Sequence, residues 1–385
     1  MRVAVITETF LPDVNGVVTT LCRALEYMQR RGHEALVIAP SGAPGSYAGQ
    51  QIISLPGVPL PPYPALRLTP SQPGITAPIR AFAPDVIHLA GVVALGISGR
   101  LVARRLGVPL VGAYHTNIPS YCDHYGLGAL RRMAYAYLRW IHNGCQLTLC
   151  PSRATAAELR RERFRRLRLW GRGVDTERFH PRLRSSAWRQ SLGIDDDTPI
   201  MLYVGRVAAE KRVDLLADLA LRAPERPLVI VGDGPARPAL ERRLAGTRTR
   251  FTGYLRGAGL ATAYASADLF IFPSDTDTFG QVVQEAMASG LPVVAAATGG
   301  APDILRPGVD GELFAPGDAA MLWQQADGLY RDAVRRRALG AAGRRAAEGR
   351  SWDVVMDQLF GHYAAAQRRA QRWRALGHVV FRGRR

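Results

Sequence analysis

Two short segments of this 385-residue sequence gather side chains able to hold an anion beside a polyol. The first, Gly205-Arg206-Val207-Ala208-Ala209-Glu210-Lys211, comes directly after the apolar run Met201–Val204 and sets two cations five residues apart. On a loop between strand and helix, such a pair can clamp a diphosphate without metal, arginine as a bidentate fork and lysine as a point charge. An ordinary solvated helix start would accommodate the same residues. Lys211 is the one lysine among 50 basic residues, so whatever bias favours arginine elsewhere has spared it. The second segment, Asp275–Glu285, comes after LFIFPS. Asp277 and Glu285 bracket Phe279-Gly280, whose amide groups would face outward from a helix N-terminus and suit phosphate, while the carboxylates suit hydroxyls. Helix capping explains Asp277 and Thr278 equally well. It does not explain Glu285, one turn inside an apolar helix, where a buried acid needs a partner.

Three further loops could contribute. Glu8–Gly16 leads into the first helix, and Gly16 would let an anionic group or a neighbouring loop come close to backbone N–H groups; a plain tight turn fits as well. His115 ends the strand PLVGA, and Gly299-Gly300 succeeds VVAAA. There is no G-x-G-x-x-G, and no GxxxxGK[ST], since Lys211 is preceded by Glu210, so dinucleotide and P-loop chemistry lose their signatures.

These loops need strands behind them, and the pattern supplies strands. Val3–Thr7, Ala35–Ala39, Asp85–Leu89, Pro109–Ala113 and Gln146–Cys150 are short runs apolar on both faces, as in parallel sheets. Helical spacing separates them, beginning with Val18, Leu21, Leu25 and Met28 and closing at Gly32. After a break near Pro181–Ser186 the alternation restarts with strands at Pro199–Val204, Pro227–Val231, Ala267–Phe272 and Pro292–Ala296. Helices are expected at Val213–Leu221, Ala236–Leu244, Gln281–Ser289, Met321–Leu329, Ala333–Glu348 and Trp352–Arg374. The fold class is α/β, two Rossmann-like doubly wound units, and ligands of such sheets bind beyond the carboxyl ends of the strands.

The composition suits a soluble globular chain, with 47% hydrophobic and 21% charged residues. No window approaches the roughly 18 apolar residues of a membrane span. The acid at position 8 does not fit a signal peptide, and Cys22, Cys122, Cys145 and Cys150 lack metal-ligand spacing and read as reduced, cytosolic thiols. The net charge of +18 is uneven: +13 in residues 1–186, −2 in 187–366 and +7 in 367–385.

Taken together, GRVAAEKRVDLL, VGDGP, DTFGQVVQEAMASGLPVVAAATGG and GVDTERFHP resemble the retaining GT-B glycosyltransferases of family four, in order, from Val3 to about Tyr363. LRLWGRGVDTERFHP, TFGQVVQEAMASGLPVVA and SWDVVMDQLFGHY look more narrowly like bacterial GDP-mannose-dependent alpha-mannosyltransferases acting on lipids. The resemblance implies a GT-B fold whose two domains face across a cleft: an acceptor domain, 1–184, and a nucleotide-sugar domain, 185–352. The helix at about 353–375 would pack back on the first domain, and 376–385 would form a basic tail. By position, Arg206 and Lys211 would hold the donor diphosphate and Glu285 the ribose. Asp277, Phe279 and Gly280 would contact the transferred sugar and distal phosphate. Gly16 would let the acceptor-side loop approach, His115 would touch the sugar, and Tyr254-Leu255 would lie along the base. Related proteins carry Glu where this chain has Asp277, which leaves the donor sugar open.

The resemblance further implies a nucleotide-sugar co-substrate, no metal, a lipid or glycolipid acceptor, and peripheral attachment to the inner, anionic membrane face. Tyr121–Trp140 and Arg160–Arg172, basic and partly aromatic, are candidate membrane surfaces. A UDP-sugar donor with a diacylglycerol or polysaccharide acceptor, and a nucleotide-sugar epimerase on the same fold, are the alternatives. A nucleic-acid-binding module would leave Arg206, Lys211 and Glu285 unexplained, so no nucleic-acid partner is expected.

Overall fold

The computed structural model describes residues 1–13, 15–60, 63–68, 73–92, 94–115, 119 and 128–382. Cys122 and the first part of the Tyr121–Trp140 candidate surface lie outside them. The chain divides into two compact units: Met1–Gly171 with Val355–Arg385, and Arg172–Val354.

Unit 1 holds strands β1 (Arg2–Ile6), β2 (Glu34–Pro40), β3 (Ser46–Tyr47), β4 (Gln50–Leu55), β5 (Val58–Leu60), β6 (Tyr63–Leu68), β7 (Val86–Leu89), β8 (Leu110–Ala113), β9 (Leu147–Cys150) and β10 (Leu167–Leu169). Eight of them form one sheet in the order β10-β9-β8-β7-β1-β2-β4-β3, parallel except at β3–β4, while β5 and β6 pair as a separate ribbon. Its helices are α1 (Gly16–Arg30), α2 (Thr76–Phe82), α3 (Leu95–Leu106), α4 (Gly128–His142) and α5 (Arg153–Arg161). Asn15 caps α1 by accepting from the Val17 and Val18 amides, each at 3.0 Å, and the buried stripe Val18, Leu21, Ala24, Leu25 and Met28 keeps the spacing seen in the sequence.

Unit 2 holds helices α6 (Ser186–Ser191), α7 (Val213–Arg222), α8 (Arg237–Arg243), α9 (Gly257–Ser266), α10 (Gln281–Ala288), α11 (Ala301–Ile304), α12 (Ala319–Arg331) and α13 (Ala333–Glu348). They surround an all-parallel sheet, β13-β12-β11-β14-β15-β16. Its strands are β11 (Met201–Val204), β12 (Leu228–Val231), β13 (Thr249–Gly253), β14 (Leu269–Phe272), β15 (Val293–Ala296) and β16 (Glu312–Phe314). Strands β11, β12, β14 and β15 are buried on both faces, which is why they read as unbroken apolar runs.

Two expectations shift. The boundary falls at 171/172 rather than 184/185, because residues 172–184 pack against the core and the late helices of unit 2. Val174 donates to Arg350 O at 3.0 Å, and Val174 and Phe179 enter the unit 2 core. Arg344 Nη1 donates to Thr176 O at 3.0 Å and Phe179 O at 2.8 Å. The last helix, α14, runs Trp352–Arg382, so most of the expected 376–385 tail continues the helix; no proline interrupts it. From Val355 on, α14 belongs to unit 1. There, Trp170 Nε1 donates to Val355 O at 3.1 Å, and Tyr363 Oη lies 2.8 Å from His88 Nδ1. Burial pushes the His88 pKa down to about 4, which keeps the ring neutral beside that hydroxyl. No helix among the described residues is long and apolar enough to cross a membrane.

Arg189 anchors the start of unit 2. It is fully buried, pairs with Asp268 at 3.0 Å, and donates to Ser266 O at 2.7 Å, Asp195 O at 2.8 Å and Thr198 O. Removing one partner of a buried, hydrogen-bonded pair strands the rest. Arg189→Ala should therefore lower stability by about 3–5 kcal/mol, and Arg189→Lys should recover little, because one ammonium cannot reach three carbonyls. The denaturant midpoint reads this directly, and a shift under about 1 kcal/mol would contradict it.

Candidate active site

In each sheet the chain order reverses at one place: between β1 and β7 in unit 1, and between β11 and β14 in unit 2. Loops diverge from the carboxyl ends there and leave a crevice. In unit 2 the loops are Gly205–Lys211 after β11 and Pro273–Gly280 after β14, the same two segments whose side chains suit an anion and a polyol. The loops after β12 and β15 join them through backbone contacts that tolerate no side chain. A Cβ on Gly232 would lie 1.9 Å from Gly205 O, and one on Gly299 would lie 1.8 Å from Asp277 O.

On this frame Lys211 Nζ meets Asp277 Oδ2 at 2.5 Å, and the Ser274 hydroxyl reaches the same oxygen at 3.4 Å. Thr276 Oγ1 donates to Glu210 O at 2.9 Å, tying the two loops together. Arg206 is exposed, with Glu210 at 3.5 Å, and its carbonyl accepts from the Tyr203 hydroxyl at 2.9 Å. Gly280, at φ 89°, turns the chain into α10. The Phe279 ring is buried in the core, so at this position only the backbone is available to a ligand. Glu285 lies one turn into α10 and accepts from the Tyr264 hydroxyl at 3.1 Å. Desolvation pushes its pKa up to about 7, against the opposing pull of that hydroxyl and of Arg178. Tyr254 is 64% exposed, its hydroxyl donating to Asp233 O at 3.0 Å, and Leu255 packs on the core edge. Thus Arg206, Lys211, Asp277, Gly280 and Glu285 all stand on two adjoining loops and the helix that continues from the second.

Several participants escaped the sequence reading. Gln284 Nε2 donates to Arg172 O at 2.8 Å and Gln281 Nε2 to Gly173 O at 3.0 Å, fixing the segment that opens unit 2. Two glutamines three apart on an apolar helix were the available signal. Arg172 feels the charge of Asp277, while burial lowers its pKa to about 10.

In unit 1 the rim at β1/β7 is built differently. The Glu8 carboxylate accepts from Leu95 N at 2.6 Å and from Ala94 N, so it caps α3. Gly91 lets the chain pass that loop, since a Cβ there would come within 2.7 Å of Glu8 N. Gly16 opens α1, and the His115 ring lies 5.9 Å from that of Trp170. Among the described residues no three His, Cys, Asp or Glu side chains cluster as a metal site, and Cys22, Cys145 and Cys150 are free.

The sequence profile of Glycosyltransferase Family 4 matches residues 14–178, and that of Glycosyl transferases group 1 matches 185–346. A GDP-mannose-dependent alpha-mannosyltransferase of Mycolicibacterium smegmatis is 41% identical over 95% of this chain and 97% of its own length. The chain is a family 4 glycosyltransferase. A second relative, the sulfoquinovosyl transferase of Arabidopsis thaliana, is 36% identical over 92% of this glycosyltransferase and 71% of its own length. The fold agrees. Sucrose-phosphate synthase from Thermosynechococcus elongatus superposes with TM-score 0.79 at 22% identity, covering 94% of this chain and 98% of that one. The Anabaena protein solved with UDP and glucose does so with TM-score 0.75 at 20% identity, covering 95% and 100%. The glycosyltransferase has the GT-B fold.

The raised pKa of Glu285 has a measurable consequence. The native state binds its proton more tightly than the unfolded chain, so stability is greatest at low pH and falls as pH rises through about 7. Glu285→Gln keeps an acceptor for Tyr264 without the charge. It should be more stable than wild type at pH 8, by about 1–3 kcal/mol, with the gap closing by pH 5. A pH-independent difference in melting temperature would refute the buried-charge account.

Proposed function

We propose that this glycosyltransferase moves mannose from GDP-mannose to a membrane glycolipid, with retention at the anomeric carbon. The observation that carries the reading is the Lys211–Asp277 contact, flanked by Arg206, at the strand-order reversal of unit 2. Diphosphate arriving there would draw Lys211 from Asp277 and meet Arg206 as a second cation. Together they would neutralise the charge that gathers on the leaving nucleotide as the glycosidic bond breaks, work that requires no metal. The Phe279–Gly280 backbone, at the start of α10, suits the distal phosphate. Asp277, once released, would be free to accept from a sugar hydroxyl, and Glu285 would accept from the ribose. Tyr254 and Leu255 would line the base. Gly16 and His115, on unit 1, take their acceptor-loop and sugar roles from the family resemblance.

The donor comes from the relatives' names. Three GDP-mannose-dependent alpha-mannosyltransferases, 38–41% identical over nearly the whole chain, support it. The lipid acceptor gains support from a more distant alpha-monoglucosyldiacylglycerol synthase, 27% identical over 77% of the chain. Charge supports a membrane setting. With the boundary at 171/172, unit 1 carries 26 basic and 9 acidic residues, and unit 2 carries 24 and 23. Nearly all the net charge therefore lies on one unit, the one to which the acceptor is assigned, and the protein would sit peripherally on the inner, anionic membrane face. A UDP-sugar donor is the second reading, left open because Asp277 stands where the family resemblance implies Glu.

Lys211→Ala should cut transfer at least about 100-fold while changing stability by less than about 1 kcal/mol, since the pair is near the surface; normal turnover would remove Lys211 from the donor site. Transfer should persist in EDTA. In a thermal-shift panel of GDP, UDP and their sugars, GDP-mannose at saturation should stabilise the native state by about 3 kcal/mol. A shift with UDP-sugars alone would replace the donor, and a shift with neither would overturn the assignment.

A further inference from the structure

The amino edge of the unit 1 sheet, opposite the rim that holds Glu8, Gly16 and His115, carries a basic cavity of about 420 Å³. Arg100 of α3, Arg139 and Trp140 in the last turn of α4, Asn143 beyond it, and Arg163 and Arg165 before β10 line it. Each of these segments leads into the start of β8, β9 or β10, and the parallel pairing of those strands brings them to one edge.

The cavity is built from specific contacts. The Arg100 guanidinium lies 4.0 Å over the Trp140 ring and donates to the Trp140 carbonyl. Asn143 fixes the turn with both ends of its amide, donating to Arg163 O at 3.2 Å and accepting from Arg165 N at 2.8 Å. Arg163 has φ 61°, a left-handed conformation that arginine keeps only where its surroundings impose it. Cations at helix C-termini are favourable in themselves. That role covers Arg139, which donates to Glu162 O at 3.1 Å, and Arg166, which donates to Cys145 O at 2.9 Å. It leaves Arg163 and Arg165. Among the described residues no ion pair includes Arg100, Arg139, Arg163 or Arg165, so four arginines line one open hollow with no carboxylate paired to them.

The neighbourhood points to the anion's source. Along the outward face of α4 run Met133, 67% exposed, Ala136, and Trp140, 46% exposed, with Arg132 and Arg139 beside them. Helices α3 and α4 contain six arginines and no acidic residue. An apolar row edged by arginine suits a helix lying in the headgroup layer of an anionic bilayer. Helix α4 begins on the carboxyl side of the sheet and ends at the cavity, so lying flat it would bring both edges of unit 1 to the headgroup plane.

We propose that this face docks the protein on an anionic bilayer and that the cavity receives the phosphate of a lipid that is not the acceptor. The proposal rests on the lipid-acceptor reading, which requires the protein to work at a membrane. Its test is sedimentation with phosphatidylcholine vesicles containing or lacking phosphatidylglycerol. Wild type is compared with Arg163→Gln/Arg165→Gln and with Arg337→Gln/Arg345→Gln, which removes the same charge from the exposed face of α13. All three are first shown to melt alike. Wild type should bind only with phosphatidylglycerol present. The cavity variant should bind about fivefold more weakly for each arginine removed, and the control should stay close to wild type. Equal binding by cavity variant and wild type, or equal weakening by the control, would overturn the site while leaving the membrane reading standing. Stabilisation by inorganic phosphate that the cavity variant loses, with vesicle binding unchanged, would overturn it in favour of a soluble anion. Wild type indifferent to phosphatidylglycerol would sink the membrane reading and this site together.

Discussion

The loops around the unit 2 crevice are held together by backbone rather than by side chains. Gly299 and Gly300 pass so close to the 277–279 segment that a Cβ on either would overlap a carbonyl oxygen, and Gly232 does the same against Gly205. Contacts of that kind cannot relax by rotamer changes, so the loops after β11, β12, β14 and β15 keep a fixed spacing. On the donor reading proposed above, Lys211 would leave Asp277 for an incoming phosphate on loops whose spacing the backbone already sets, as a preorganised electrostatic site requires.

Cations in this arginine-rich chain have three different fates, and the difference is physical. Arg189 is buried and spends its donors on three carbonyls and a carboxylate. That arrangement specifies structure and leaves nothing for a ligand. Lys211 is partly exposed and has one charged partner, a contact weak enough to be traded. Arg163 and Arg165 have no carboxylate partner among the described residues and remain available to an outside anion. Glu285 is the counterpart on the acidic side. Its desolvation costs stability at neutral pH, and on the proposed donor reading a ribose hydroxyl would supply it a further hydrogen bond.

Much of this was legible in the sequence because parallel strands buried on both faces leave short, saturated apolar runs. The runs at 201–204, 228–231, 269–272 and 293–296 marked four of six unit 2 strands, and the loops after the first, third and fourth were read as candidate ligand loops. Lys211 stood out by composition alone. The domain boundary did not, because Pro181 suggested a break, whereas the residues before it pack by hydrogen bonds to Arg344 and Arg350 that lie far along the chain. Arg189 was invisible for the same reason: in a sequence with 49 arginines, nothing local marks the one whose partners are distant carbonyls. Glu8 looked like part of a ligand loop, yet it caps a helix 86 residues away.

Moving the boundary also changes what the net charge means. Counted by sequence halves, the excess seemed divided between the first half and the tail. The fold assigns both to unit 1, and residues 172–184, with four arginines and two acids, go to unit 2. Unit 2 is then almost neutral. A codon bias toward arginine would act on both units alike, so it accounts for the choice of arginine over lysine but not for the imbalance. Unit 2 holds nearly as many acids as basic residues, and unit 1 does not. Within unit 1 the surplus lies in three stretches: α3 and α4, with six arginines and no acid, residues 153–171, with seven arginines and two acids, and residues 355–385, with seven and one. Surplus charge so placed repels itself unless an external anion compensates it, and a bilayer of anionic headgroups is large enough to compensate a whole face at once.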